Sequence, residues 1–391
     1  MDKPIFTYNK KYPSVNDLKS RAKKRIPKFA FDYLEGGCNE ELNLRVNEED
    51  LQQIKLMPSY LKSHSGVDMR VELFGQIYDA PFGISPIGLQ GLMWPKSPEI
   101  LARAAVAENI PFVLSTVSTS SIETIAKITN GKFWFQLYHP TKQEVLDDIL
   151  NRLERAQCKV LVVLIDVPVF GLRYKEIKAG LSMPPKNNIR NYLQAVTRPL
   201  WSIQTLKAGI PSFASLSPYM DKNMDIKQLG KFMDSTFTGR VDIDKLNYIR
   251  QKWKGTLVVK GVVNEVDADL CARIGVDGVI VSNHGGRQID VGESTISSLQ
   301  RLRAKYKNKF TIMIDSGLRS GPDIARALAC GADFTFMGRP FMYGVGALGD
   351  TGGTHTIRML KAQFYQTMQQ LSCEKNKDLP ATLIMSGSKS L

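Results

Sequence analysis

The sequence predicts an α/β protein of the (β/α)8 TIM-barrel class, with an N-terminal helical cap and a long insertion after the fourth barrel strand. Three observations lead to this class: eight short apolar runs recur along the chain, helical apolar spacing separates them, and polar residues follow them. Apolar runs of this length are typical of strands buried on both faces. A doubly wound open sheet is the competing topology. The count of eight and the polar strand ends favour the closed barrel.

The eight predicted strands are PFGISP from residue 81, FVLS from 112, FWFQLY from 133, VLVVLID from 160, LVVKG from 257, GVIVSN from 278, TIMIDS from 311 and FTFMG from 334. Between them, segments such as EILARAAVAEN and DIARALAC place apolar residues at helical intervals. The fourth and fifth strands begin almost one hundred residues apart. We therefore expect an insertion between them.

The chain is expected to form a single domain spanning residues 1–391. Residues 1–80 precede the first strand, and SVND at 14–17 has the form of a capping box before a helical stretch from Asn16 to Tyr33. This part is predicted to cap the barrel formed by 81–391, and the insertion loop is placed at 174–240.

The insertion is basic and amphipathic. Between Lys175 and Lys207 there are six basic residues and one acid, Glu176. Apolar residues fall on one helical face and continue after a proline; they are Ile189, Tyr192, Leu193, Val196, Leu200, Trp201 and Ile203. Such a segment can lie on an anionic membrane surface. The alternative is a loop that folds back onto the barrel or onto another subunit.

Composition narrows the protein classes further. With 43% apolar and 23% charged residues, the chain has a globular composition. Five cysteines without a CxxC pair argue against a disulfide scaffold, and no metal-ligand spacing is present. The net charge of +14 lacks a nucleic-acid-binding motif beside it, so we expect no nucleic acid partner. Without a signal peptide or a spanning segment, the protein is expected in the cytoplasm or on the inner face of the cell membrane.

Polar residues cluster at the predicted strand ends, where TIM barrels carry their active sites. They are Gln136, Tyr138, Asp166, Lys260, Asn283, His284, Asp315, Gly338 and Arg339. Glycines and an arginine after the last two strands are typical of a phosphate site. His284 with Arg287, and Arg173 near Asp166, suit a carboxylate-bearing substrate. Lys260 is either a Schiff-base lysine or a fixed charge beside an anionic cofactor.

The sequence resembles the FMN-dependent 2-hydroxy-acid oxidase and dehydrogenase family. The resemblance rests on DYLEGG, FQLY, VKG, SNHGGRQID, DSG and GRP in this order, beginning at residues 32, 135, 259, 282, 315 and 338. Within the family, NYLQAVTRPLW and GLRYKE are most similar to bacterial L-lactate dehydrogenases of the respiratory chain. DYLEGG and WPK also resemble mandelate dehydrogenase.

The resemblance implies a role for each matching residue. His284 is the implied active-site base with Asp166 as its partner. Arg173, Arg287 and Tyr33 are implied to bind the substrate carboxylate, and Tyr138 to meet the substrate hydroxyl. Lys260 is implied to stabilise the reduced flavin. The implied FMN-binding residues are Pro86, Ile87, Gly88, Ser115, Gln136, Lys260, Ser282, Asp315, Gly317, Arg319, Gly338 and Arg339.

The implied reaction is oxidation of a small L-2-hydroxy acid, L-lactate first, with electrons passing to a quinone or cytochrome. An oxygen-dependent oxidase that makes hydrogen peroxide, and a mandelate-type dehydrogenase, are the alternatives. A homotetramer is also implied. Three positions depart from the family pattern. Leu164 replaces a flavin-bonding threonine, Val117 stands where plant glycolate oxidases have tryptophan, and Gly88 stands where oxidases often have alanine.

Overall fold

The computed structural model describes residues 6–181, 188–209, 211–220, 232, 236–237 and 239–384. A two-stranded antiparallel hairpin, β1 (Val71–Leu73) and β2 (Gln76–Tyr78), precedes the main sheet. The eight parallel strands of that sheet are β3 (Phe82–Ile84), β4 (Val113–Ser115), β5 (Trp134–Leu137), β6 (Val160–Leu164), β7 (Thr256–Lys260), β8 (Gly278–Val281), β9 (Thr311–Ile314) and β10 (Phe334–Met337). All eight predicted strands are therefore confirmed.

The strands follow the order β3-β10-β9-β8-β7-β6-β5-β4. A parallel bridge between Ile84 and Phe112 joins the first and last strands of this order. The sheet therefore curls into a TIM barrel, and the open-sheet alternative is wrong. Parallel strands all end at the same rim, so the polar residues that follow them meet there.

Helices surround the barrel and cover part of its rim. They are α1 (Val15–Arg25), α2 (Lys28–Glu35), α3 (Leu42–Gln53), α4 (Gln90–Met93), α5 (Ser97–Ala107), α6 (Ile122–Thr129), α7 (Gln143–Arg155), α8 (Tyr174–Ala179), α9 (Ile189–Val196), α10 (Pro199–Ala208), α11 (Ile243–Lys252), α12 (Glu265–Ile274), α13 (Thr295–Tyr306), α14 (Gly321–Ala329), α15 (Arg339–Leu348) and α16 (Gly352–Gln370). Short 3₁₀ turns lie at Ser217–Tyr219, Gly349–Thr351 and Asn376–Thr382.

The predicted helix from Asn16 to Tyr33 is two helices. The capping box at Ser14 starts α1 as expected, but Ile26 is extended, with φ −103° and ψ 151°. Pro27 explains the break because its ring disfavours the helical conformation of the preceding residue. The chain therefore turns there, and α2 approaches the rim of the barrel.

The hairpin β1–β2 packs at the opposite end of the barrel from the rim. Its Phe74 and Tyr78 rings lie 5.8 Å and 6.1 Å from the rings of Trp134 and Phe334, at the starts of β5 and β10. Inward-facing side chains such as Met313 fill the barrel beneath the rim. The first 80 residues therefore do more than cap the rim, since the hairpin forms the floor of the barrel.

The insertion after β6 carries α8, α9 and α10, and parts of its predicted range, 182–187, 210, 221–231, 233–235 and 238, lie outside the described residues. Ile189, Val196 and Leu206 are 75–82% exposed. Trp201 differs from the predicted membrane face. It is only 6% exposed, and its Nε1–H donates to the Met93 carbonyl oxygen at 3.1 Å. Among the described helices, none is long and apolar enough to cross a bilayer.

Candidate active site

A cavity of about 450 Å³ opens where the eight strands end. Its volume falls within the range of small-ligand sites. The predicted site residues that line it are Tyr33, Pro86, Ile87, Gly88, Ser115, Gln136, Tyr138, Arg173, Lys260, His284, Arg287, Asp315, Gly317, Arg319, Gly338 and Arg339. The other two, Asp166 and Ser282, lie directly behind this lining. The structure therefore brings the whole predicted set together.

His284 follows β8 with a positive φ of 60°, a left-handed backbone conformation in which the strand ends. Its Nδ1 lies 2.9 Å from Asp166 Oδ1. When Nδ1–H donates to this carboxylate, Nε2 is left as a proton acceptor. Burial lowers the pKa of His284, while the Asp166 carboxylate opposes the shift. The imidazole is therefore neutral at neutral pH, as a general base must be.

Two guanidinium groups lie beside this histidine. Arg287 Nη1 donates to the backbone oxygens of Tyr33 and Gly36 at 2.7 Å and 2.8 Å, and its guanidinium lies 5.0 Å from the centre of the Tyr33 ring. Arg173 Nε donates to the Arg287 carbonyl oxygen at 3.1 Å, and its Nη2 donates to Gln288 Oε1 at 2.8 Å. Two buried cations in one wall can bind a carboxylate.

Burial also acts on the two tyrosines of the site. It raises the pKa of Tyr33 and of Tyr138, although nearby Arg287 and Arg173 oppose the shift. Both phenols therefore stay protonated at neutral pH and can donate a hydrogen bond. The Tyr138 ring also packs 5.4 Å from the ring of Phe237, a residue of the insertion.

Sequence reasoning missed Glu176 as a site residue. Its carboxylate is 9% exposed and lies between the two arginines, with Oε1 at 2.6 Å from Arg287 Nη2 and 3.3 Å from Arg173 Nη1. Its spacing from Arg173 in the sequence could have identified it. Glu176 lies three residues after Arg173 at the start of α8, which places the two side chains on one helix face.

Lys260 and Asp315 form a buried ion pair on another side of the cavity. Lys260 Nζ lies 2.9 Å from Asp315 Oδ2 and also hydrogen bonds to the Ser282 hydroxyl. Burial alone would raise the pKa of Asp315, but Lys260 and the hydroxyls of Ser282 and Ser316 hold it below its ordinary value. Lys260 is thus a cation held in place by an anion, an arrangement unlike that of a Schiff-base lysine.

Gln136 presents an unpaired donor close to this pair. Its Oε1 accepts a hydrogen bond from Ser115 Oγ at 2.8 Å. Its Nε2 is buried and has no partner within the described part of the chain. Buried donors are almost always satisfied, so this atom indicates a ligand with an acceptor at its edge. Leu164, at the end of β6, contributes only an apolar side chain to the same wall.

The ends of β9 and β10 form a basic cradle. Gly317 has φ +84°, and a Cβ there would lie 2.4 Å from the Asn47 carbonyl oxygen, so no other residue fits. Gly338 and Arg339 begin α15, whose N-terminus attracts anions. Burial, and then the charge of Arg319, lower the pKa of Arg339, yet it remains a cation at neutral pH. Two guanidiniums at a helix N-terminus suit a phosphate.

Comparison with known proteins identifies the family. The family model described as FMN-dependent dehydrogenase matches residues 22–386. L-lactate dehydrogenase of Bartonella tribocorum is 35% identical over 370 residues, which cover 92% of this chain and 96% of that protein. L-lactate dehydrogenase of Alcaligenes faecalis is 34% identical, with 95% and 98% covered.

Solved structures agree with the sequence relatives. The monotopic membrane protein (S)-mandelate dehydrogenase superposes with a TM-score of 0.89 at 34% identity, covering 95% of this chain and 98% of that one. Mandelate oxidase gives a TM-score of 0.82 at 27% identity, with 95% and 98% covered. The chain therefore belongs to the FMN-dependent 2-hydroxy-acid dehydrogenase and oxidase family. It is an FMN-dependent oxidoreductase.

The residues present fit this cofactor. The unpaired Nε2 of Gln136 is a donor for an acceptor at the edge of the flavin ring. Lys260 offers a cation to a ring that gains negative charge on reduction. Arg319, Arg339 and the backbone at Gly317 suit the phosphate end. Leu164 offers no hydrogen bond to the ring from its place in the wall.

Proposed function

We propose that this protein oxidises an L-2-hydroxy acid, with L-lactate as the first candidate, to the corresponding 2-keto acid. One observation carries the proposal: a neutral histidine paired with a buried carboxylate lies in the same cavity wall as two arginines. The names of the sequence relatives support lactate. The arrangement has the two parts this substrate needs, a proton acceptor and a carboxylate-binding group.

The residues of the chain divide the chemistry between them. Arg173 and Arg287 bind the carboxylate and so orient the α-carbon. His284 Nε2 accepts a proton from the hydroxy acid, and the Asp166 carboxylate stabilises the resulting imidazolium. The protonated Tyr138 is placed to hydrogen bond to the substrate oxygen. FMN, when bound, supplies the two-electron acceptor.

Anaerobic mixing tests this proposal. The flavin-loaded protein is mixed with L-lactate, D-lactate, glycolate and L-mandelate without oxygen, and the flavin absorbance is followed. We expect bleaching with L-lactate and none with D-lactate. If the flavin stays oxidised with all four acids, the proposed reaction is wrong.

Mandelate is the second candidate because the outer wall of the cavity is apolar. That wall consists of Leu89, Met93, Val117, Phe213 and Phe237. It suits the methyl group of lactate but also a phenyl ring, as in the substrates named for the structural relatives. The ratio of kcat/KM for L-lactate and L-mandelate in the same panel decides between them.

We also propose a quinone as the electron acceptor. Phe170, Leu172 and Ile177 line the cavity and are 42–61% exposed at its mouth. An exposed apolar rim favours an apolar acceptor over a soluble charged one. A short-chain ubiquinone, cytochrome c and oxygen are compared as oxidants of the reduced protein. If oxygen oxidises the reduced protein to form hydrogen peroxide as fast as the quinone oxidises it, the oxidase alternative is favoured instead.

The exposed apolar faces of α9 and α10 are proposed to rest on a membrane. Ile189, Tyr192 and Leu193 are exposed beside Arg190 and Arg198, which suits an anionic surface. The structural relative described as monotopic supports this placement. We expect co-sedimentation with phosphatidylglycerol vesicles, and its loss when Ile189 and Leu193 are both replaced by serine. Equal sedimentation of the variant would contradict the proposal.

The family resemblance further leads us to propose a homotetramer. Light scattering of the purified flavin-loaded protein measures its mass directly. A mass of about four chains is expected, and a monomer at micromolar concentration would contradict the proposal.

A further inference from the structure

We propose that Glu176 is a positioning residue that sets both the charge and the free donors of the carboxylate site. This inference rests on the proposed function, because it concerns how Arg173 and Arg287 receive an anionic substrate. Glu176 lines the cavity, lies at the start of α8 and contacts both guanidiniums at once.

The hydrogen bonds of the two arginines show what Glu176 does to their geometry. Each guanidinium has five N–H donors. Arg173 Nε–H donates to the Arg287 carbonyl oxygen, Nη1 donates to both Glu176 carboxylate oxygens at 3.3 Å and 3.4 Å, and Nη2 donates to Gln288 Oε1. Nη2 therefore keeps one N–H that no residue in the described part of the chain accepts. This N–H can donate to an oxygen of a substrate carboxylate.

Arg287 is held in a complementary way. Both of its Nη1–H groups donate to backbone oxygens, those of Tyr33 and Gly36, and one Nη2–H donates to Glu176 at 2.6 Å. Within the described ranges, its Nε–H and second Nη2–H have no acceptor. Arg287 thus keeps two N–H donors for a ligand. Glu176 therefore occupies Nη1 of Arg173 and one N–H of Arg287 Nη2, and it leaves other N–H donors of both arginines for a ligand.

Charge is the second effect. Burial lowers the pKa of Arg287, the charge of Arg173 lowers it further and Glu176 raises it, so the carboxylate compensates for the repulsion between the two cations. The three side chains together carry a net charge of one positive unit, which one substrate carboxylate neutralises. Without Glu176, the wall would hold two buried cations facing each other. Such a site attracts any anion more strongly but no longer fixes its orientation.

The proposal separates binding from turnover. Glu176→Gln keeps the shape of the side chain and removes its charge. Because a competing carboxylate is gone, we expect oxalate to bind the flavin-loaded variant roughly five- to tenfold more tightly. Because the guanidiniums are no longer held apart in one arrangement, we expect kcat for L-lactate to fall by at least about tenfold and KM to fall or stay unchanged. A residue that only supports the fold would weaken oxalate binding.

Two further variants complete the design. Glu176→Asp keeps the charge but is one methylene shorter, so it cannot contact both arginines equally. We expect its oxalate affinity to stay near that of the wild type and its kcat to fall less than in Glu176→Gln. Glu41→Gln is the matched control. Glu41 forms an ion pair at 2.7 Å with Lys175, which lies on the same helix as Glu176, and neither Glu41 nor Lys175 lines the cavity. This variant is expected to leave oxalate affinity and kcat within twofold of the wild type.

Oxalate dissociation constants come from the change in flavin absorbance, and FMN content and melting temperature are measured for each variant. Unchanged or weaker oxalate binding by folded, flavin-loaded Glu176→Gln overturns the proposal. If that variant loses its flavin, Glu176→Asp decides: wild-type kcat in that variant overturns the positioning role, and reduced kcat with wild-type oxalate affinity supports it. If no hydroxy acid reduces the flavin of the wild-type protein, the proposed reaction is wrong instead. The oxalate titration then still tests the role of Glu176.

Discussion

Replacement of Asp166 by asparagine tests the base of the proposed reaction most directly. Asp166 Oδ1 lies 2.9 Å from His284 Nδ1, and its other oxygen is buried without a partner in the described part of the chain. Among the described residues, the carboxylate therefore hydrogen bonds to the histidine alone. Asparagine has nearly the same shape and its carbonyl oxygen can still accept the Nδ1–H, so the variant removes charge and keeps orientation.

The expected loss follows from the charge formed during the reaction. When His284 accepts a proton, a carboxylate and an imidazolium lie about 4 Å apart, an interaction worth about 4 kcal/mol at an effective dielectric constant near 20. The retained hydrogen bond offsets about 1 kcal/mol of this. A loss of about 3 kcal/mol corresponds to roughly a hundredfold slower flavin reduction.

Raising the pH will not restore this rate. Asp166 raises the pKa of His284, so its loss lowers that pKa further and leaves the imidazole still neutral at neutral pH. The variant lacks the charge that stabilises the protonated histidine. A higher pH only increases the fraction of neutral histidine and cannot replace that stabilisation.

The assay is anaerobic stopped-flow reduction of the bound flavin by L-lactate, at saturating substrate. Asp269→Asn serves as the control because Asp269 pairs with Lys305 on the outer surface and is half exposed. It should reduce at the wild-type rate. Less than a tenfold loss in Asp166→Asn, with wild-type FMN content, would refute the assigned role of the carboxylate.

Three further predictions concern neighbouring parts of the site. Because burial lowers the pKa of His284, kcat/KM for L-lactate should rise with pH only below about 6.5, the ordinary histidine value, and stay flat from pH 7 to 8; a midpoint above 7 contradicts this. Arg339→Leu should weaken FMN binding by at least about 30-fold in a fluorescence titration of the apoprotein, since a buried guanidinium leaves the phosphate site. Gly88→Ala should slow flavin reduction, because its Cβ would lie 2.8 Å from Val117 Cγ2, and adding Val117→Ala should restore the rate; an unchanged rate in the double variant compared with the single one contradicts the contact.

The barrel was predictable because its strands are buried on both faces. In β6 all five residues, Val160–Leu164, are buried, so the sequence there is a continuous apolar run with a clear polar end at Asp166. The same property located the site, because the ends of parallel strands meet at one rim. His284 and Arg287, on one loop, needed only this topology to come together with Asp166.

Features that depend on tertiary contacts were not predictable in this way. Trp201 has the spacing of an exposed amphipathic face, and only its hydrogen bond to the backbone of Met93 shows that it packs inward. Glu176 looked like a lone acid in a basic segment until folding placed Arg287, more than a hundred residues away, beside it. The hairpin of Phe74 has strands of three residues, too short for periodicity to identify.

The aromatic floor of the barrel has a consequence for steady-state kinetics. Phe74 packs against Trp134 below the side chains that fill the barrel. The cavity opens to solvent at the other face, where the strands end. We expect the hydroxy acid and the electron acceptor to enter by this opening, one after the other. Double-reciprocal plots of initial rate against hydroxy acid concentration, at several fixed concentrations of the electron acceptor, should give parallel lines. This is the pattern of a ping-pong mechanism, in which the keto acid leaves before the electron acceptor binds.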